Sequence, residues 1–183
     1  MKGKIQWGIL CFVLFISGAF YLQSNHEWAL TQRAMTEVSE GVQQGEKASP
    51  LTLNNLSGEQ VNLSDFKGEN VFLIFFTTWC HICGEQWGQL ELAKKGGLLD
   101  DVQVIAVNLT KGERNVDNVI AYTESITLDD VVFLLDEEGA AQDLYHVYGV
   151  PISLIIDKEG IIETRVDGFF TVEKMLESQI INK

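Results

Sequence analysis

The chain has 183 residues, 46% of them hydrophobic and 21% charged, which suits one packed domain with a leader and excludes two large domains or a disordered chain. Its 13 Lys and Arg stand against 26 Asp and Glu, a formal charge of −13, and no basic run is present to neutralise phosphates, so nucleic acid is excluded as a partner. Of the three cysteines, Cys11 lies in an apolar leader, leaving Cys80 and Cys83 as one local pair, too few for a disulfide scaffold. His26, His81 and His146 are scattered and do not complete a structural zinc site, so no metal is expected.

Lys2 and Lys4 precede an uncharged run, WGILCFVLFISGAFYL, over residues 7–22. With Ile5 and Gln6 it reaches the roughly 17–25 residues that a membrane-spanning helix needs. Lysines before the run imply a cytoplasmic N-terminus. Residues 1–22 are therefore expected to be a transmembrane anchor; Ser17-Gly18-Ala19 leaves a cleaved signal peptide as the alternative. Either way the remainder is exported. Residues 23–48 contain WALTQRAMTEV, a short helical pattern, and end in EKASP. They read as a linker or arm, and residues 49–183 as the domain.

In the domain, LTLNNL (51–56) and VNLSDF (61–66) flank a Gly-containing turn and predict a β-hairpin. VFLIFF (71–76) is a continuous apolar run that suits a central strand covered on both faces. EQWGQLELAKKGG (85–97) predicts a helix stopped by paired glycines. There follow a strand over 102–109, a helix over 115–126, an apolar run over 131–136 and a helix over 140–149. A strand over 151–157, a KEG turn, a strand over 161–168 and a helix over 171–181 complete the chain. Alternating strands and helices predict an α/β fold, a central sheet flanked by helices on both faces. The short KEG turn makes the last two strands antiparallel, so the sheet is mixed.

Cys80-His81-Ile82-Cys83 falls where the buried strand ends and a helix begins. The first turn of a helix directs unsatisfied N–H groups and the positive end of its dipole outward, which favours a thiolate. Cysteines so placed have pKa values lowered to roughly 3.5–7.5. Cys80 is the candidate nucleophile, and Cys83 is within one turn, where it can attack a mixed disulfide and release the partner. Half of a zinc knuckle is the rival reading of a lone C-x-x-C; the strand-to-helix setting and the lack of a second ligand pair favour redox chemistry. His81, Ile82, Glu85 and Gln86 are candidates to modulate the couple, His81 by offering positive charge beside the thiolate. Glu85 is rotated about 100° from Gln86 on the helix and is expected to face solvent.

Over residues 45–181 the chain resembles the membrane-anchored thioredoxin-like family that includes the bacterial TlpA and ResA proteins. The matching elements are GEKASPLTLNNLSGEQVNLSDFKGENVFLIFFTTWCHIC, VQVIAVNL, VVFLLDEEG, YHVYGVPISLIIDKEG and IIETRVDG. The resemblance implies a thioredoxin-like fold in which Pro151 follows a cis bond beside the cysteines. Val150 and Pro151 would form a lip for an extended substrate segment, and Trp79 would pack beside Cys80. It implies a bacterial extracytoplasmic thiol–disulfide oxidoreductase, single-pass in the cell membrane, that acts on protein thiols and disulfides and needs no cofactor beyond the Cys80–Cys83 disulfide. Electrons would come from a membrane donor, and cytochrome c maturation or an envelope or sporulation pathway would be served. The same chemistry run as a disulfide oxidase, or a non-enzymatic binding module on the same fold, are the rivals. Where ResA-like proteins commonly carry Glu and Pro, three and five residues after the second cysteine, this chain has Gln86 and Gly88. Where thioredoxin keeps a buried Asp it has Ile74, so Cys83 lacks a carboxylate at either position.

Overall fold

The computed structural model describes residues 12, 14–21 and 38–178, and the chain divides into two units, Met1–Val38 and Ser39–Lys183. In the first, residues 12 and 14–21 are helical. Among the described residues no helix is long and apolar enough to cross a membrane. The rest of the expected anchor, with Cys11, His26 and residues 23–37 of the expected arm, lies outside the described residues.

The second unit is built around a seven-stranded mixed sheet. Its elements are β1 (Glu40–Gly41), β2 (Lys47–Ala48), β3 (Thr52–Asn55), β4 (Gln60–Asn62), β5 (Asn70–Phe76), α1 (His81–Lys95), β6 (Val102–Asn108), α2 (Val116–Glu124), β7 (Val131–Leu135), α3 (Ala140–Leu144), β8 (Ile152–Ile156), β9 (Ile162–Asp167) and α4 (Val172–Met175). The sheet order is β4-β3-β7-β6-β5-β8-β9. β5, β6 and β7 are parallel, while β3, β8 and β9 run antiparallel to their neighbours. The thioredoxin-like architecture and the β3–β4 hairpin expected from the sequence are both present.

All seven residues of β5 are buried, and the two-residue period of a strand sends them to opposite faces. Phe72, Ile74 and Phe76 join Cys83, Trp87 and Leu90 of α1 and Met175 of α4. Val71, Leu73 and Phe75 join Ala141 of α3, Tyr145 and Leu154 on the other face. The uninterrupted apolar run of β5 thus has cover on both sides.

Several boundaries differ from the sequence reading. The domain begins at Ser39, not at residue 49, because residues 39–48 form a strap on the sheet edge. β1 pairs parallel with β2, Val42 is buried in the core, and the Ile162 N–H donates to the Glu46 carbonyl at 2.8 Å. The hairpin's second strand stops at Asn62 and passes into a short 3-10 helix, Leu63–Phe66. Asp65 accepts the Asn62 N–H at 2.8 Å, a local bond that competes with the sheet ladder. α1 begins at His81 with Cys80 as its cap, as the setting of the cysteine pair predicts, and the helical pattern over 85–97 covers only its later turns. α4 is described as helix only to Met175, and residues 179–183 lie outside the described residues.

α3 ends at Leu144, short of residue 149. His146 adopts a left-handed conformation with φ of 52°. The Val147 N–H then donates to the Gln142 carbonyl at 2.9 Å and the His146 N–H to the Asp143 carbonyl at 3.3 Å. This is the paired closure of a Schellman turn, made here without glycine. It turns Val147 into the core and leaves Tyr148 93% exposed.

Candidate active site

After Phe76 the chain leaves the sheet through Thr77, whose carbonyl accepts the Cys80 N–H at 3.4 Å. Cys80 is the N-cap of α1, and its Sγ accepts the Cys83 N–H at 3.1 Å. Such a bond satisfies one orphan donor of the helix start and, once the pair is reduced, favours negative charge on this sulfur. No acidic residue occupies the first turn, and Lys94 and Lys95 occupy the last, so no carboxylate in that turn opposes the effect. Cys80 and Cys83 are joined by a disulfide with Cα atoms 5.2 Å apart. Cys80 is half-buried and Cys83 fully buried.

Across from the helix start, the Val150–Pro151 bond is cis and the Val150 carbonyl oxygen lies 3.6 Å from Cys80 Sγ. The Pro151 carbonyl accepts the Gly168 N–H at 2.8 Å, which joins this loop to the end of β9. Cys80 opens into a cleft of about 490 Å³ whose walls include Trp79, Ile82, Leu109, Val147 and Tyr148. Trp79 and Ile82 are 68% and 48% exposed. Large apolar side chains gathered in the open around a disulfide mark a contact surface more than a packing accident.

The structure therefore brings Trp79, Cys80, His81, Ile82 and Val150 to one cleft, and Pro151 lines an adjoining groove that shares Tyr148, Gly149 and Val150 with it. Glu85 is exposed, with Oε1 3.4 Å from His81 Nε2. Gln86 has a different setting. It is fully buried; its Nε2 donates to the Phe170 carbonyl at 2.9 Å and its Oε1 accepts the Phe170 N–H at 2.8 Å. Gln89, next along α1, accepts the Val172 N–H at 2.9 Å. The two amides pin the β9–α4 connection to α1. Cys83 shares its apolar cluster with Phe72, Ile74, Trp87 and Phe170.

Sequence reasoning missed Glu113. One carboxylate oxygen accepts the Thr78 N–H at 2.6 Å and the Asn108 Nδ2 at 3.0 Å; the other accepts the Thr78 hydroxyl at 2.6 Å. Thr110 in turn donates to Asn108 Oδ1 at 3.0 Å. This network fixes the turn two residues before Cys80, yet Glu113 lies 35 positions from Thr78 in a polar loop with no local pattern to single it out. Glu113→Ala is expected to lower stability by about 2 kcal/mol, the loss of charge-assisted bonds to a partly buried turn. Urea unfolding measures it, and an unchanged midpoint would show that the turn holds without the carboxylate.

A sulfur presented at a helix cap, with a second sulfur behind it, can pass a disulfide to another thiol pair. The class so defined is the thioredoxin-fold thiol–disulfide oxidoreductases. The chain belongs to the AhpC/TSA family, whose family model matches residues 44–165. It is 34% identical over 135 residues to the thioredoxin-like protein YneN of Bacillus subtilis, covering 74% of this chain and 78% of that one. It is 30% identical to the thiol-disulfide oxidoreductase ResA of the same organism, covering 72% of each. The crystal structure of StoA from Bacillus subtilis superposes with a TM-score of 0.58 at 26% identity, over 70% of this chain and 95% of that one. The chain is a thiol–disulfide oxidoreductase of this type.

Proposed function

We propose that the protein is a bacterial extracytoplasmic dithiol reductase, anchored in the cell membrane by its apolar N-terminal run and exchanging disulfides with protein substrates. The observation that carries the reading is the pairing of a half-buried Cys80 at a helix cap with a fully buried Cys83. The Cys80 thiolate attacks a substrate disulfide, forming a mixed disulfide and expelling one substrate thiolate, which takes up a proton. Cys83 then loses its proton and attacks Cys80 Sγ, closing the Cys80–Cys83 disulfide and releasing the second substrate thiol. Two electrons pass to the substrate, and a thiol-donating membrane partner restores the dithiol. No metal or organic cofactor takes part. Val150 and Pro151 form the lip on which an extended substrate segment lies, and Trp79 with Ile82 lines its path. His81, paired with Glu85, modulates the couple. The charge-free run over residues 7–22 behind Lys2 and Lys4 supports the location. The resemblance to the TlpA and ResA proteins supports a role in cytochrome c maturation or an envelope or sporulation pathway.

A redox titration of the full chain against glutathione, combined with insulin reduction in dithiothreitol, tests the proposal. A reductase should have a midpoint nearer thioredoxin's about −270 mV than DsbA's about −120 mV, and should precipitate insulin. A midpoint near the latter value would make the chain an oxidase; failure to reduce insulin at all would make it a binding module.

A further inference from the structure

Arg165 in β9 has a side chain only 8% exposed, and its guanidinium joins three separate parts of the chain. Nη1 donates to the Val42 carbonyl at 3.1 Å and to the Tyr145 carbonyl at 3.0 Å. Nε donates to Asp167 Oδ1 at 3.1 Å, and Nη2 lies 3.0 Å from the same oxygen. Val42 belongs to the strap. Tyr145 closes α3 and opens the loop that runs to Val150 and Pro151. Asp167 stands with His146, Tyr148, Val150 and Pro151 in the wall of a groove of about 400 Å³.

Tyr145 is also held at its far end, where its hydroxyl donates to the Ser49 carbonyl at 2.6 Å. Its ring packs on Phe75 with centroids 5.2 Å apart. The strap and Ser49 directly after it thus meet the start of the cis-proline loop at two hydrogen-bonded junctions, one at each end of a single tyrosine. A guanidinium offers its donors in a rigid planar fork, so it sets the spacing of the carbonyls it bridges, which a flexible ammonium does not. A buried cation is costly unless its donors are matched, and here carbonyls and a carboxylate match them. The site is built around the arginine.

We propose that Arg165 is a positioning residue for disulfide exchange, tying the Val42 carbonyl of the strap to Tyr145 so that the Val150–Pro151 lip stands fixed opposite Cys80 for a peptide substrate. The proposal rests on the exchange activity proposed above. It separates two kinds of substrate: an extended peptide needs the lip, whereas a small disulfide reaches Cys80 without it.

The test compares the full chain with Arg165→Met and Arg165→Lys in steady-state reduction of a disulfide-bonded peptide and of hydroxyethyl disulfide. Arg165→Met is expected to raise KM for the peptide about tenfold with kcat within about twofold. It should leave the hydroxyethyl disulfide rate within about twofold, and Arg165→Lys should recover only part of the loss. Amide hydrogen exchange at Gly149 and Val150 should quicken in Arg165→Met. A folded Arg165→Met with unchanged peptide KM, or with equal losses on both substrates, overturns the proposal. If Arg165→Met does not fold, Arg165→Lys and Tyr145→Phe make the same comparison, and an unchanged peptide KM in both overturns it. If the wild type reduces neither disulfide, the exchange function fails on its own, and amide exchange at the lip then decides whether Arg165 positions it.

Discussion

Cys80→Ser is expected to reduce disulfide exchange to the uncatalysed background, whereas Cys83→Ala should still attack a substrate once and then stall as a mixed disulfide. The difference follows from where the sulfurs lie. Cys80 faces the cleft at the helix cap, beside the Val150 carbonyl, and a serine hydroxyl there is not ionised at neutral pH and cannot replace a thiolate. Cys83 is sealed in the apolar cluster of α1 and β5, so its only reachable disulfide is one already formed on Cys80. Stopped-flow mixing with a peptide disulfide, followed by mass spectrometry of the acid-quenched protein, distinguishes the two variants. Alkylation of the reduced wild type at mildly acidic pH should label Cys80 first, because the helix start favours its thiolate. Faster labelling of Cys83, or a covalent adduct that accumulates in Cys80→Ser, would reverse the assignment of roles.

Gln86→Glu is expected to make stability fall steeply with pH. In the native chain the amide donates to the Phe170 carbonyl and accepts the Phe170 N–H, a double task that a carboxyl performs only while protonated. Ionised, it would set a negative oxygen against a carbonyl oxygen in a fully buried site. Burial and that carbonyl both disfavour the charged form, so the folded-state pKa rises above the roughly 4.3 of an unfolded glutamate. Below both values the variant resembles the wild type. Above the unfolded value stability is lost at about 1.4 kcal/mol per pH unit, until the folded value is reached. With buried carboxyls raised by up to about 3–5 units, the loss at pH 7 relative to pH 4 is on the order of 3 kcal/mol. Urea unfolding of both proteins at several pH values gives the difference directly, and a gap that stays constant from pH 4 to pH 8 would contradict it.

The same position shows where the sequence stops being informative. By the resemblance to ResA-like proteins position 86 is a missing acid; in the fold, it is an amide whose donor and acceptor are both taken by one backbone unit 84 positions away. No local pattern announces such a pairing. The strands at the centre of the sheet were legible because their apolar runs are continuous, as in VFLIFF and ISLII. The redox pair was legible because it follows the first of these directly. The strap was not, since Val42 is a single apolar residue among polar neighbours and carries no period. The early end of α3 was hidden because a histidine, not the customary glycine, takes the left-handed turn at position 146. Arg165 sits in an edge strand with no local pattern to single it out, and its partners come from positions 42, 145 and 167.

The alternation along β5 divides the protein by parity. Even-numbered residues from 72 to 76 share their surroundings with Cys83 and α1, and odd-numbered ones from 71 to 75 with Tyr145 and the loop that carries Pro151. One strand therefore serves as a partition between the face that backs the buried sulfur and the face that backs Tyr145. Val150 packs against both clusters, so the residue beside Cys80 is where the two faces meet.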